Sequence, residues 1–392
     1  MTGIAEFYQL RSPMAFASPP ECFSHSSLVR VGMCPLRYQL ERAEFPVIGR
    51  YPARPVPAAI EGAIIHAGLE RLLRSFSMAG LPSLGSPEAR ERAQSCDLMD
   101  FVSGRLQDER NRLEKHPRGN SFRFRLSPQE LTNKIIRLFR QQYKGVDKTI
   151  GFPVAKQVGK SGGISAGLRS EECLDHAGVL LEARFRHPDL PFEGIIDLVY
   201  LTGGEVVIAD YKSGAPKAEH RQQVMRYALL WWRATGRLPI AVEIRYFSAV
   251  HRDAVSEPDL LKEERALKTE IREVTADLSA REPEACQGDH CRTCDVRQFC
   301  NAYWQQPASR SVESDRFKDL EVTLIGRPSD FGFEGQTGSG DNVLFTYNGN
   351  VGRLHSSELR AGQLLRLMGV RTDSEDSTYA VVRSTEIWRM PG

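Results

Sequence analysis

The sequence predicts an α/β protein, with a mixed central sheet flanked by helices and a small C-terminal β-barrel. Three observations lead there. Between about residues 172 and 250, β-branched and apolar runs are interrupted by one helical stretch, AEHRQQVMRYALLWWRATG. Helical patterns stand on either side, IEGAIIHAGLERLLRSF before and PDLLKEERALKTEIREVTADL after. Beyond about residue 308, short strand-like runs (LEVTLIG, NVLFTY, GQLLRLMGV, TYAVVRSTEIW) alternate with Gly, Asp and Ser, the pattern of an OB-like or SH3-like barrel.

Bulk properties set the frame. A chain of 392 residues has room for two or three domains. Its 41% hydrophobic and 26% charged content is ordinary for a soluble protein. A formal net charge of +2 selects no partner, so any nucleic-acid surface has to be local. No apolar run reaches the length of a membrane span, and MTGIAEFYQLRSPMAF lacks a signal-peptide pattern. The expected location is therefore cytoplasmic, with no membrane partner. There, the eight cysteines are expected as free thiols or metal ligands.

In chain order, the first fifty-odd residues end in a Pro-rich connector, PVIGRYPARPVPAAI. The helix that follows aligns Ile64, Leu69, Leu72, Leu73 and Phe76 on one face. Residues 80–150 read as helical and charged. Within them Lys134, Arg137, Arg140, Lys144 and Lys148 form a basic stripe, suited to phosphates or simply a solvated face. Residues 151–170 read as a Gly/Ser loop. Its GKS, Gly159–Ser161, is not a phosphate loop, because Val154 stands where the motif needs its first glycine.

The chemistry concentrates in GIIDLVYLTGGEVVIADYKSG, Gly194–Gly214. Gly203-Gly204 is a two-residue hairpin signal that sets Thr202 against Glu205 and, counting outward, Asp197 against Asp210. Opposed residues have Cβ atoms roughly 5 Å apart, where like charges repel. The neighbours Ile195, Ile196, Leu198, Val199, Val206, Val207 and Ile208 make both faces apolar, as in central strands. A shared Mg²⁺ or Mn²⁺ resolves that conflict. Lys212 lies on the same face, placed to orient a water or to neutralise charge developing on phosphorus. A plain salt bridge from Lys212 to one aspartate is the competing reading.

These residues resemble the RecB-like exonuclease branch of the PD-(D/E)XK nuclease superfamily. There an Asp ends one strand, (D/E)-x-K follows on the next, and a helix carries Q-x-x-x-Y. Asp197, Asp210-Tyr211-Lys212 and Gln223 through Tyr227 match, as do Gly62, His66, Leu69 and Glu70 for an upstream G-x-x-x-H-x-x-L-E. The resemblance implies a restriction-endonuclease-like sheet. It also implies His66, Asp197 and Asp210 as metal ligands, Lys212 as the water-activating residue, and Gln223 and Tyr227 as holding substrate backbone or lysine. Glu182 is either a further acidic group or a sheet-edge salt-bridge partner.

CQGDHCRTCDVRQFCNAYW carries Cys286, Cys291, Cys294 and Cys300, which alone would suggest a zinc knuckle. Cys34 changes the reading. One distant N-terminal cysteine plus C-x-x-C-x5-C is similar to iron–sulfur nucleases of AddB-type subunits and CRISPR-associated exonucleases. That similarity implies a [4Fe–4S] cluster on Cys34, Cys291, Cys294 and Cys300, with zinc as the chemical competitor and Cys286 a bystander.

The expected organisation is an N-terminal segment (1–60), a nuclease domain (61–305) with a helical insertion (80–150) and the cysteine segment, and the barrel (310–392). Phe331, Phe333, Phe345, Tyr347 and Trp388 of the barrel either stack unpaired bases or fill its core. The expected function is a metal-dependent DNA nuclease hydrolysing phosphodiesters by in-line attack of water. Its substrate would be single-stranded DNA or DNA ends, in repair, recombination or antiviral defence. With no ATPase motif in the sequence, either a separate helicase or ATPase subunit does the unwinding or the substrate is already single-stranded. The rivals are a non-catalytic nucleic-acid-binding scaffold subunit and a zinc-stapled interaction protein.

Overall fold

The computed structural model describes residues 8–46, 48–77, 85–119, 125–143, 179–212, 214–246, 249–280, 282–305, 311–312, 316–326, 328–347, 359–372 and 378–391. The expected Gly/Ser loop at 151–170, Lys144 and Lys148 lie outside them. Helices α1 (His25–Met33) and α2 (Pro35–Leu40) precede two short strands, β1 (Glu44–Phe45) and β2 (Gly49–Arg50). Helices α3 (Pro57–Ser77), α4 (Pro87–Ser95), α5 (Leu98–Glu114) and α6 (Pro128–Tyr143) follow. Proline sits at the first position of α2, α3, α4 and α6, where its missing N–H costs nothing.

The central sheet comes next: β3 (Val179–Arg186), β4 (Glu193–Thr202), β5 (Glu205–Lys212), helix α7 (Ala218–Thr235), β6 (Ala241–Tyr246) and β7 (Val250–Ala254). The strands lie in chain order, antiparallel except for β5 and β6. Those two are parallel because α7 carries the chain back across the sheet. Gly203 and Gly204 turn β4 into β5 at φ 58° and 82°, left-handed values that glycine adopts without a Cβ clash, and Thr202 pairs with Glu205. Helix α8 (Glu257–Ser279) starts on the Ser256 side chain, which accepts from the Asp259 N–H.

Both sheet faces are covered. Ile196, Val199, Val206 and Ile208 pack in one core with α1, α7 and α8, and Leu198, Tyr200, Val207 and Ala209 in another with α3, α5 and α6. Ile195 alone of the named neighbours is solvent-exposed, 42%. An uninterrupted strand would put Ile196 and Val199 on opposite faces. They share a core, as do Leu180 and Ala183 of β3. The alternation slips at Asp197 and the facing Glu182, a pair missing from the β3–β4 ladder, where Glu182 takes φ 48°. The register is the same on both sides of the break, so the left-handed backbone at Glu182 turns side chains without inserting a residue.

After α9 (Asn301–Gln305) come β8 (Ser311–Val312), β9 (Phe317–Leu324), β10 (Gly332–Thr337), β11 (Asn342–Tyr347), β12 (Leu364–Thr372), β13 (Thr378–Val381) and β14 (Glu386–Arg389). A ring β9–β10–β11–β13–β12 closes through β12–β9 pairing, giving a five-stranded barrel with one parallel pair, β11–β13. Phe333 and Phe345 stack inside it at 4.7 Å, and Tyr347 packs half-buried against them. Trp388 is fully buried outside the ring, in a core shared with Tyr8, Phe45, Tyr51, Cys294 and Tyr303. Base stacking by those four rings is therefore displaced by packing; Phe331, 83% exposed, is the ring left to solvent. The Pro-rich connector is likewise no loose linker, since Tyr51 is buried edge-on to Phe45 and Phe299.

Candidate active site

The open end of the β4–β5 hairpin meets α3 and α7 around a cavity of about 330 Å³. His66, Asp197, Asp210, Lys212, Gln223 and Tyr227 all line it, together with Lys217 and His220. The sequence-derived register holds up to Leu198–Ala209 and stops there. At the next position, where Asp197 faces Asp210, the ladder gives way to a side-chain bond: the Tyr211 N–H donates to Asp197 Oδ2 at 2.8 Å. The slip at Asp197 thus ties one carboxylate oxygen to the backbone of β5.

A polar chain leads away from the acids. Lys212 Nζ stands 2.7 Å from Asp210 Oδ2 and donates to Gln223 Oε1 at 2.8 Å. Gln223 Nε2 donates to the Tyr227 hydroxyl at 2.7 Å. Gln223 and Tyr227 reach the same spot because four residues make about one helical turn. The salt bridge is real, but it does not saturate Asp210. That residue is 1% exposed, and its charge is crowded by that of Asp197 as well as countered by Lys212.

Burial pushes both carboxyls above the ordinary carboxylate range; the charge of Asp197 raises Asp210 further, and Lys212 opposes both shifts. Burial holds the His66 imidazole below its usual range, against the charge of Asp210 and with help from Lys212, which favours the neutral form that can ligate a metal. His66, Glu182 and Asp197 each offer a ligand atom, all within 4.8 Å of one another. Glu182 therefore belongs beside the site. Its arrival goes with the left-handed backbone at Glu182, and no sequence motif marked it. Crowded carboxylates, one of them fully buried, and an imidazole held towards its neutral form fit a divalent cation.

A second grouping lies in the core beneath the barrel. Cys34, Cys286, Cys291, Cys294 and Cys300 line one pocket, and none of them is in a disulfide. Cys34 caps α2, its Sγ accepting from the Arg37 N–H at 3.4 Å. Burial pushes the Cys294 thiol up to about 12 and raises Cys286 and Cys300 as well. A thiophilic metal would have to displace those protons. The sulfurs and their enclosure fit such a group.

A sequence profile of the PD-(D/E)XK nuclease superfamily matches residues 22–301. The chain belongs to that superfamily. This PD-(D/E)XK protein matches no curated protein. Among solved structures it is similar to SSO0001, at 12% identity over 62% of this chain and 98% of that one, with a TM-score of 0.26. The tetrameric p202 HIN2 structure gives 15% identity over 23% of this chain and 47% of that one, with a TM-score of 0.16. The p204 HINb domain gives 18% over 28% and 55%, with a TM-score of 0.17. The chain thus spans about half the length of the two HIN structures. At these scores none of the likenesses carries an argument. The superfamily match supports a nuclease-type function on nucleic acid. Among the described residues, no helix is long and apolar enough to cross a membrane.

Proposed function

We propose that the chain is a metal-dependent deoxyribonuclease of the RecB-like type, acting on single-stranded DNA or DNA ends. One observation carries this reading: His66, Asp197, Asp210, Lys212, Gln223 and Tyr227, spread along the chain from 66 to 227, line one cavity, and the last four form one polar chain. His66, Asp197 and Asp210, with Glu182, would hold Mg²⁺ or Mn²⁺. Such an ion supplies Lewis-acid activation of water and of the scissile phosphate. Lys212, fixed between Asp210 and Gln223, presents its ammonium to charge developing on the phosphoryl oxygens and keeps the attacking water in line. Tyr227, whose phenol is raised far above its usual range chiefly by burial, stays protonated and braces Gln223. Hydrolysis would leave a phosphorylated strand.

Cys34, Cys291, Cys294 and Cys300 would hold a [4Fe–4S] cluster that staples the N-terminal helices to the cysteine segment, with zinc the chemical rival. The single parallel pair and Greek-key ring order favour the OB-like over the SH3-like barrel. The three-part organisation and a separate helicase subunit belong to the same proposal. Digestion of end-labelled single-stranded DNA with Mg²⁺ or Mn²⁺ tests it: native protein should cleave and Asp210→Ala should not. Equal cleavage by both would refute the assignment. Iron and acid-labile sulfide in anaerobically purified protein decide the cluster; colourless, zinc-loaded protein would remove it.

A further inference from the structure

Beside the catalytic cavity is a second one, of about 480 Å³, walled by α3 and the helical region of α4 and α5. Its α3 wall starts at Ala67, the residue after His66, and continues through Glu70, Arg71 and Ser75 on the same helix. Its aromatic element is Phe101, with a guanidinium on either hand: Arg71 at 5.0 Å from the ring centroid and Arg105 at 5.8 Å. Arg71 Nε donates to the Cys96 carbonyl at 2.7 Å, which fixes that side chain against the ring. Neither guanidinium has a carboxylate partner among the described residues. Two unneutralised cations around one ring repel each other, an arrangement that an anion carrying a planar group relieves. Glu70, four residues from His66, lies on the catalytic side, so the anion's place is at the arginine end.

We propose that this cavity is a subsite for single-stranded DNA: a base lies against Phe101, and the adjoining phosphate is held by Arg71 and Arg105. A strand running along α3 would occupy it while its neighbouring phosphodiester sits at His66. The inference rests on the nuclease reading and deepens it, because it separates strand holding from chemistry. By contrast, the basic stripe on α6 is partly spent, since Lys134 is paired with Glu61.

The test uses the full chain with its metal–thiolate site loaded. Fluorescence anisotropy in EDTA reports binding of a 5′-fluorescein oligodeoxythymidylate. Hydrolysis of bis-p-nitrophenyl phosphate with Mn²⁺ reports the catalytic cavity alone. Phe101→Leu keeps apolar packing and should weaken oligonucleotide binding by at least about fivefold. Arg105→Ala, at an exposed position, should weaken it and lower the salt slope by about 1. Both should hydrolyse the small diester at the native rate. Native affinity and salt slope in both variants would overturn the subsite. So would equal losses on oligonucleotide and small diester, which mark general damage. If native protein neither binds the oligonucleotide nor cleaves the diester, the nuclease reading falls, and the subsite with it.

Discussion

At the residue scale, the candidate site turns on a buried carboxyl, Asp210, and a half-buried one, Asp197. Their protons are held more tightly than those of ordinary aspartates, chiefly because of burial. Protons and the cation therefore compete for the same oxygens. At subsaturating Mg²⁺ the cleavage rate should rise with pH through neutrality, and the Mg²⁺ concentration for half-maximal rate should fall as pH rises; a rate indifferent to both would contradict the shift. Lys212 acts through charge at one place, so Lys212→Ala should cut kcat about 10²- to 10³-fold with little change in KM. Most of these residues were legible in the sequence, because D-x-K and Q-x-x-x-Y fix spacing within a strand and within a helix. Glu182 was legible only as an acid of uncertain use. Its position depends on a left-handed backbone in β3, which periodicity does not show.

At the element scale, the hairpin and α7 define the cavity between them, and their separation is set by a glycine. A Cβ on Gly194 would lie 2.8 Å from Tyr227 Cε1. Gly194→Val should therefore push α7 outward, costing about 1–3 kcal/mol in urea unfolding and lowering kcat by misplacing Gln223. Unchanged stability and activity would show that this contact yields freely. The hairpin itself was readable from Gly203-Gly204, and the register followed by counting. The ladder bears the count out as far as Leu198–Ala209; at the next position the Asp197 side chain takes the Tyr211 N–H instead. Periodicity cannot show that.

At the scale of the whole molecule, the barrel and the cysteine segment are joined by buried arginines, none of which could be singled out in the sequence. Arg297 binds Asp319 at 2.6 Å and the Cys294 carbonyl at 2.9 Å. Arg118, from the helical region, forks onto Glu386 of β14 at 3.0 and 3.1 Å. Burial works against the Glu386 charge, yet Arg118 and Arg54 overcome it and hold the carboxyl down to about 2, below its ordinary 4.5. A depressed carboxyl contributes stability that is fully present above its unfolded value and lost as pH falls towards the folded one. Acid unfolding should thus steepen between pH 4.5 and about 2. Arg118→Met, which leaves the acid poorly paired, should cost about 3–5 kcal/mol. A melting temperature equal to the native one would contradict a buried pair.

The account rests on Asp197 and Asp210 sharing one ion beside His66. Titration with Mn²⁺ followed by electron paramagnetic resonance measures this without any turnover. The expected result is a tight site in native protein that is lost or weakened at least about tenfold in both Asp197→Asn and Asp210→Asn. A tight site that survives both substitutions would place the cation elsewhere and contradict the account.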